Sequence, residues 1–186
     1  VLDNSPYEAR LIKSGKSYPS GWGDWCNESQ AKPLPGVLEF LLKAEQMGVK
    51  IFYVTNRKYE YEKGTLENFK KFGIPIEGDE DSLLMRYENG WDSNKTSRRE
   101  LIAKNHRVIF QIGDNLGDFV DLSLSHQSPE KRVEVVTEFN NMWGKYWFMI
   151  ENPTYGDWEG ALYKFNFDRS NQEIIQIRNK KLDEAR

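Results

Sequence analysis

Two aspartates that lie four positions apart, directly after an apolar run, are the residues of this sequence best placed to do chemistry. Residues 108–112 form the apolar run, Gly113 follows it, and Asp114 and Asp118 come next. Ligands of open α/β sheets bind outside the carboxyl ends of the strands, so Asp114 is expected at a binding site. Two converging carboxylates favour Mg²⁺, a small hard cation that takes oxygen ligands. The alternative is that Asp114 caps the next helix and that Asp118 lies on the solvated face of this helix.

Polar residues also follow a second apolar run, and they favour the binding of an anion. Thr55 and Asn56 come at the end of the run 50–55, where a hydroxyl and the amides after it can donate to an anionic oxygen. Lys95, in the loop sequence NKTSRRE, can add a point charge. Singly these signals are weak, because a threonine at a strand end is commonly a turn residue and a surface lysine is commonly only solvated. In the order Thr, Lys, Asp-x-x-x-Asp they indicate a phosphate group held against Mg²⁺.

The elements that must position these residues alternate between strands and helices. Apolar, β-branched runs predict strands buried on both faces, and apolar positions at helical spacing, closed by glycine, predict helices. This alternation predicts an α/β fold in which helices cover both faces of a Rossmann-like parallel sheet. The predicted strands are 50–55, 82–86, 108–112 and 146–150, and the predicted helices are 7–12, 37–47, 60–72, 95–104, 174–182 and one from about residue 116, with a turn at Asn89 and Gly90.

The segment 3–35 carries little periodicity, because prolines and glycines interrupt it. Apart from the short helix at 7–12, we expect this segment to be irregular. An irregular stretch of this length in a compact domain is usually a lid or a binding segment. It carries Trp22 and Trp25. Aromatic residues in such a segment are candidates for a binding surface, and of these two Trp25 is expected to be structural.

The composition argues against several classes of protein. Charged residues make up 30% and hydrophobic residues 38% of the 186 positions, which is typical of a globular domain. No apolar run approaches the roughly 20 residues of a membrane-spanning helix. The net charge of −3 argues against a nucleic-acid groove, which needs clustered excess lysine and arginine. Cys26 is the single cysteine, so the sequence predicts neither a disulfide framework nor a thiolate metal cluster.

Four stretches of the sequence resemble the motifs of one family. Residues 112–119, IGDNLGDF, are similar to the motif GDNLxDF of the class C acid phosphatases, a bacterial branch of the haloacid dehalogenase superfamily. Residues 54–57, VTNR, resemble the phosphate-binding second motif, and Lys95 resembles the lysine of the third motif. Residues 1–7, VLDNSPY, resemble the tail of the first motif. The resemblance covers nearly the whole chain.

The resemblance implies one domain of the haloacid dehalogenase fold over residues 1–186, with 7–33 and 156–186 as a small irregular and helical cap. In this family the first motif begins with DLDET directly before VLDNSPY, and its two aspartates are the nucleophile and the general acid. We therefore expect the chain to be incomplete at its N-terminus, with the nucleophile and the first core strand ahead of Val1. The alternative is that the molecule is inactive as written.

The resemblance also implies a role for each candidate site residue. Asp114 would bind Mg²⁺ directly, and Asp118 would hold Lys95 or a water molecule of the metal. Lys95, Thr55 and Asp118 would form the catalytic set, with Lys95 neutralising the nucleophile and the bound phosphate. Thr55 and Asn56 would contact the phosphate. An aspartyl-phosphate would form and then be hydrolysed.

Two aromatic residues would set specificity under the same resemblance. Trp22, in SGWGDW, and Tyr155, in NPTYGDWEG, resemble in context the pair of aromatics that sandwich a nucleobase in these enzymes. Stacking suits this task because every base has a π-face. The alternative is that both rings pack a loop against the core.

The expected substrate is a small phosphomonoester such as a nucleoside 5′-monophosphate, and no nucleic-acid partner is expected. The resemblance implies a place outside the cytoplasm, with membrane attachment only through a lipid anchor ahead of Val1, and it leaves a homodimer open. A non-catalytic protein that binds Mg²⁺ and nucleotides is the alternative of a different class. A phosphotransferase that passes the phosphoryl group to an alcohol is an intermediate alternative.

Overall fold

The structure is a computed structural model that describes residues 1–76, 78 and 80–182. Its chain divides into two compact units. Unit 1 consists of Val1–Ser93 and Ser97–Ile102, and unit 2 consists of Asn94–Thr96 and the chain from Ala103 onward. Each unit contains a pair of parallel strands with helices around it, which is the α/β pattern expected from the alternation of elements.

Unit 1 is built around two parallel strands and the helices that pack on them. Tyr53 of the first strand lies opposite Leu83 of the second, and the register becomes irregular between Val54 and Lys58. Apolar side chains of both strands form a core with the third and fourth helices, whose buried members are Leu41, Tyr53, Phe69, Ile74, Leu83 and Met85. The elements of this part of the chain are α1 (Ser5–Ser14), α2 (Trp22–Asn27), α3 (Val37–Gln46), β1 (Tyr53–Lys58), α4 (Glu62–Phe72) and β2 (Leu83–Arg86).

Unit 2 repeats this plan with shorter strands. Its two strands pair in parallel with Gln111 opposite Trp147. Its core consists of Leu116, Phe119, Val120, Val135 and Trp147. The remaining elements of the chain are α5 (Thr96–Asn105), β3 (Gln111–Gly113), α6 (Leu122–Ser125), α7 (Pro129–Glu138), β4 (Trp147–Met149), α8 (Asp157–Leu162) and α9 (Asn171–Lys181).

Most predicted helices and strands are present, with shifted ends. Helix α4 ends at Gly73, which adopts a left-handed conformation (φ 67°) as a C-terminal cap. Strand β1 begins three residues later than the predicted run 50–55, at Tyr53, where pairing with β2 begins. Thr55 and Asn56, which were expected at the end of this strand, therefore lie inside it, where its register is irregular.

The prediction that residues 108–112 form a strand buried on both faces is wrong. Only Gln111–Gly113 are a strand, and the side chains of Val108, Phe110 and Ile112 are 41–47% exposed. Alternate residues of an extended chain point to the same face. Within the described part of unit 2, β3 pairs with β4 alone, and the face that carries these three side chains remains open to solvent.

Two further predictions need correction. The segment 3–35 contains helix α2, which was expected to be irregular. Apolar periodicity could not reveal this helix because it has only six residues. Burial of Trp25 and Cys26 stabilises it. The helix predicted from about residue 116 is a single 3₁₀ turn, Leu116–Asp118. Among the described residues, no helix is long and apolar enough to cross a membrane.

Candidate active site

The 3₁₀ turn after β3 brings Asp118 back to the end of the strand. Its Oδ2 accepts hydrogen bonds from the backbone N–H groups of Asp114 and Asn115, at 2.9 and 3.0 Å. Its Oδ1 accepts a hydrogen bond from Lys95 Nζ at 2.6 Å. Asp118 therefore connects the lysine to the strand end, and it does not lie on a solvated helix face. Asn115, not Asp114, is the residue that caps the turn.

Burial strengthens the ion pair between Lys95 and Asp118. The two side chains are only 17% and 14% exposed, so solvent screens their charges weakly. Burial disfavours the charged carboxylate, but the nearby ammonium and the two donating amides outweigh it and hold the pKa of Asp118 below its usual value. Gly113 makes room for this arrangement, because a Cβ at that position would collide with the Asp118 carboxylate.

The side chain of Asp114 is exposed at the same strand end. Asn152 Nδ2 donates to Asp114 Oδ2 at 2.6 Å, and this hydrogen bond orients the carboxylate. No three His, Cys, Asp or Glu side chains among residues 1–76, 78 and 80–182 are grouped to hold a metal ion. The donor set still fits Mg²⁺, which commonly takes one or two carboxylates and completes its shell with water and phosphate oxygens. Asp114 is a carboxylate of unit 2 that could serve as one of these ligands.

In unit 1, a buried arginine holds Thr55 and Asn56. Arg98 Nη1 donates to the carbonyl oxygen of Thr55 at 2.6 Å, and Nη2 donates to Asn56 Oδ1 at 2.8 Å. Asn56 Nδ2 donates to the carbonyl oxygen of Ser93 at 3.0 Å. Thr55 Oγ1 accepts a hydrogen bond from the backbone N–H of Arg57 at 3.1 Å. These contacts give the irregular part of β1 a defined shape.

Sequence reasoning missed Arg98. Its side chain is 0% exposed, although arginine is rarely fully buried. Burial lowers the pKa of this guanidinium to about 10, so the group stays charged at neutral pH. Two adjacent arginines at the start of a predicted helix resemble a solvated helix face, so the sequence carries no local signal for this role. Asn152, which orients Asp114, also carries no local signal, because its partner lies 38 positions away in the sequence.

Trp22 is half-buried in an aromatic cluster of unit 1. Its ring makes edge-to-face contacts with Tyr7 and Tyr18, at centroid distances of 5.0 and 6.0 Å. The guanidinium of Arg57 lies over the ring, 5.6 Å from its centroid. These neighbours pre-orient the indole, whether it packs the segment or binds a ligand.

Tyr155 belongs to unit 2, in the loop before α8, and its side chain is 38% exposed. Asn152 organises this loop, since its Oδ1 accepts hydrogen bonds from the backbone N–H groups of Thr154 and Tyr155, at 3.2 and 3.3 Å. The same asparagine therefore connects Asp114 to the loop that carries the predicted base-stacking tyrosine.

Parallel strands flanked by helices, with a lysine and aspartates gathered at one strand end, define an α/β protein equipped to bind an anionic group. A family model described as HAD superfamily, subfamily IIIB (acid phosphatase), matches residues 1–158. The chain therefore belongs to this family of the haloacid dehalogenase (HAD) superfamily.

Solved structures agree with this assignment. The class C acid phosphatase from Bacillus anthracis is 38% identical in sequence, with a TM-score of 0.89, and the match covers 100% of this chain and 76% of that one. The same enzyme with tungstate bound matches with a TM-score of 0.90, at the same identity and coverage.

These similarities confirm the α/β fold of the haloacid dehalogenase type and the resemblance to class C acid phosphatases. They also confirm that the protein belongs to the phosphomonoesterases. Phosphatases of this superfamily generally use a divalent metal ion.

Proposed function

We propose that the protein is a Mg²⁺-dependent acid phosphatase that hydrolyses nucleoside 5′-monophosphates through an aspartyl-phosphate intermediate. In this proposal the nucleophile is an aspartate of the first motif, which the motif resemblance implies to lie ahead of Val1. The observation that carries the proposal is the buried ion pair between Lys95 and Asp118, whose carboxylate also binds the backbone N–H of Asp114. A cation and an exposed carboxylate are thereby held at one strand end, where a phosphoryl group and its metal require both.

Each site residue has a role in this proposal. Lys95 neutralises charge on the phosphoryl oxygens, and Asp118 holds its ammonium in place. Asp114 ligates the metal ion, which when bound neutralises phosphoryl charge and orients the ester. The Thr55 hydroxyl accepts a hydrogen bond from the Arg57 amide and can still donate its proton to a phosphate oxygen. Asn56 gives one amide hydrogen to Ser93 and can donate the second in the same way.

Release of the two products at different times would support the covalent intermediate. The carboxylate attacks phosphorus, the alcohol leaves, and water then hydrolyses the aspartyl-phosphate. With a chromogenic phosphomonoester in the stopped-flow, the full-length enzyme should release a burst of alcohol of about one equivalent before steady turnover, whenever the second step is slower.

Quantifying phosphate with added acceptor alcohols separates hydrolysis from phosphoryl transfer. Phosphate equal to released alcohol identifies a hydrolase, whereas a phosphate deficit matched by a new ester identifies a phosphotransferase. Two successive in-line displacements at phosphorus give net retention of its configuration, whereas direct attack by water gives inversion. Inversion with a phosphomonoester made chiral at phosphorus by sulfur and oxygen isotopes would therefore contradict the covalent route.

Replacement of Trp22 by alanine should raise KM for nucleoside monophosphates selectively. Stacking on an aromatic side chain contributes about 1–3 kcal/mol per base, so an increase of roughly 5- to 150-fold is expected. KM for a small aliphatic phosphoester should change by less than about 2-fold, because that substrate has no ring to stack. Steady-state kinetics of both substrates with one enzyme preparation gives the comparison.

Trp22→Phe is the matched control, since it keeps a ring at the same position and should retain most of the nucleotide affinity. Comparing two substrates on one variant cancels any loss of folded protein. An equal rise of KM for both substrates would show that Trp22 only packs its segment.

We extend the proposal to location and assembly, where the family resemblance is the support. In this proposal the enzyme lies outside the cytoplasm on a lipid anchor. Labelling the source cells with palmitate and fractionating them tests this location, because the labelled enzyme should be found in the membrane fraction. The open question of a homodimer is decided by light scattering on the purified protein.

A further inference from the structure

Asp121 lies three residues after Asp118, at the start of α6, and its carboxylate receives four hydrogen bonds. Its Oδ2 accepts from Asn94 Nδ2 at 2.7 Å and from Thr96 Oγ1 at 3.0 Å. Its Oδ1 accepts from the backbone N–H and the hydroxyl of Ser123, at 2.9 and 2.7 Å. One side chain thus connects the cap of α6 to a segment 25–27 positions earlier in the sequence.

That segment carries Lys95. Asn94 and Thr96 are its two neighbours in the chain, so Asp121 holds the side chains of both residues that flank the lysine. Asn94 Oδ1 also accepts a hydrogen bond from the Thr96 backbone N–H at 3.1 Å, which closes a tight turn around Lys95. The lysine side chain then reaches Asp118. Two carboxylates on one short stretch of chain therefore hold Lys95. Asp118 binds the ammonium of the lysine, and Asp121 binds the two residues that flank the lysine.

The support behind Asp121 is rigid. Phe119 and Val120, directly before it, are each 4% exposed and belong to the core of unit 2. The hydrogen bond from Asn94, followed by those from Ser123, lowers the pKa of Asp121 well below its usual value, so the carboxylate is ionised wherever the protein is folded near neutral pH. An ionised carboxylate can accept all four hydrogen bonds at once.

We propose that Asp121 is a positioning residue for phosphoester hydrolysis, which acts by fixing Lys95 where its ammonium meets the phosphoryl group. The inference rests on the proposed role of Lys95. A displacement of about 1 Å in a group that stabilises transition-state charge can cost on the order of 10²-fold in rate, so the anchoring of this lysine has a measurable consequence.

Asp121→Asn is the variant that tests the proposal. Asparagine has the same shape but only one acceptor oxygen, so it cannot accept from both the Lys95 segment and Ser123. In the full-length enzyme, kcat/KM for a phosphomonoester should fall by about 10- to 100-fold. Thr96→Val, which keeps the shape but removes one donor on the lysine side, should show part of this loss.

Ser123→Ala is the matched control. It removes a donor to the other oxygen of Asp121 and leaves the contacts with Asn94 and Thr96 in place. Its kcat/KM should stay within about 2-fold of the wild type, because the backbone N–H of residue 123 still donates to the same oxygen of Asp121. All rates are compared at a temperature where circular dichroism shows each variant folded.

A double-mutant cycle with Lys95→Ala decides whether Asp121 acts through the lysine. If it does, adding Asp121→Asn to Lys95→Ala should change kcat/KM by less than about 2-fold, because residues that act as a unit are non-additive. The same fold loss in both backgrounds would overturn the proposal. A Lys95→Ala enzyme with wild-type kcat/KM would instead refute the proposed role of Lys95, and the inference with it, and this single variant reveals that separate failure.

Discussion

Asp114→Asn should reduce the metal-dependent turnover of a phosphomonoester by about 10³-fold, which corresponds to roughly 4 kcal/mol of transition-state stabilisation. The change replaces a negative ligand with a neutral amide of the same shape. The side chain of Asp114 is exposed, so its replacement leaves no cavity and no buried unpaired group. The loss is therefore expected in activity and not in stability.

Titration with Mg²⁺ is the measurement that identifies the cause. If Asp114 ligates the metal, the concentration of Mg²⁺ that gives half-maximal kcat/KM should rise in the variant, and excess metal should restore part of the activity. Asp168→Asn is the control, because it removes the same charge from another exposed aspartate of unit 2 and should leave the titration unchanged. Near-normal activity of Asp114→Asn at low Mg²⁺ would show that Asp114 does not ligate the metal ion.

The sequence predicted the parts of the fold that depend on local signals. Helix α4 follows from the spacing of apolar residues and from Gly73, which can adopt the left-handed conformation that ends a helix. The strand 82–86 lies within one residue of β2, Leu83–Arg86, because its apolar run is bounded by polar residues. Local signals also place Asp114 at a strand end, since the apolar run, the glycine and the aspartate are contiguous.

Two of the contacts that shape the site were not predicted, because each joins residues far apart in the sequence. Arg98 holds Thr55 from 43 positions away, and Asp121 holds Asn94 from 27 positions away. Arginine and aspartate are usually exposed, so residue type alone argues against such roles. The apolar run 108–112 shows the opposite error, since its composition predicts burial and the structure leaves Phe110 47% exposed.

The two kinds of support differ in what their loss would do. Asp121 is only partly buried and anchors a surface turn, so its replacement mainly alters the placement of Lys95. Arg98 is fully buried and holds both strands of the unit 1 sheet, since it also donates to the carbonyl oxygen of Leu84 at 3.4 Å. A change at Arg98 therefore affects the stability of the unit together with the shape of Thr55 and Asn56.

Arg98→Met should lower the free energy of unfolding by about 3 kcal/mol or more. Methionine fills much of the volume but donates no hydrogen bonds, so the carbonyl oxygens of Thr55, Leu84 and Asp92 and the Asn56 side chain each lose a donor. A buried acceptor left unsatisfied costs about 1–3 kcal/mol, and relief from burying the charge offsets part of the sum. Equilibrium unfolding in urea measures the change.

Lys104→Met, at an exposed position of the same helix, is the control and should change the unfolding free energy by less than about 0.5 kcal/mol.

Arg98→Lys separates the role of Arg98 in stability from its role at the site. Lysine keeps the charge but cannot donate from a planar fork to the Thr55 carbonyl and the Asn56 amide together. Arg98→Lys should therefore recover part of the unfolding free energy that Arg98→Met loses. Its kcat/KM for a phosphomonoester should remain below that of the wild type. An unfolding midpoint of Arg98→Met equal to the wild type would show that these hydrogen bonds do not hold the strand, and full activity of Arg98→Lys would show that Thr55 and Asn56 need no fork to orient them.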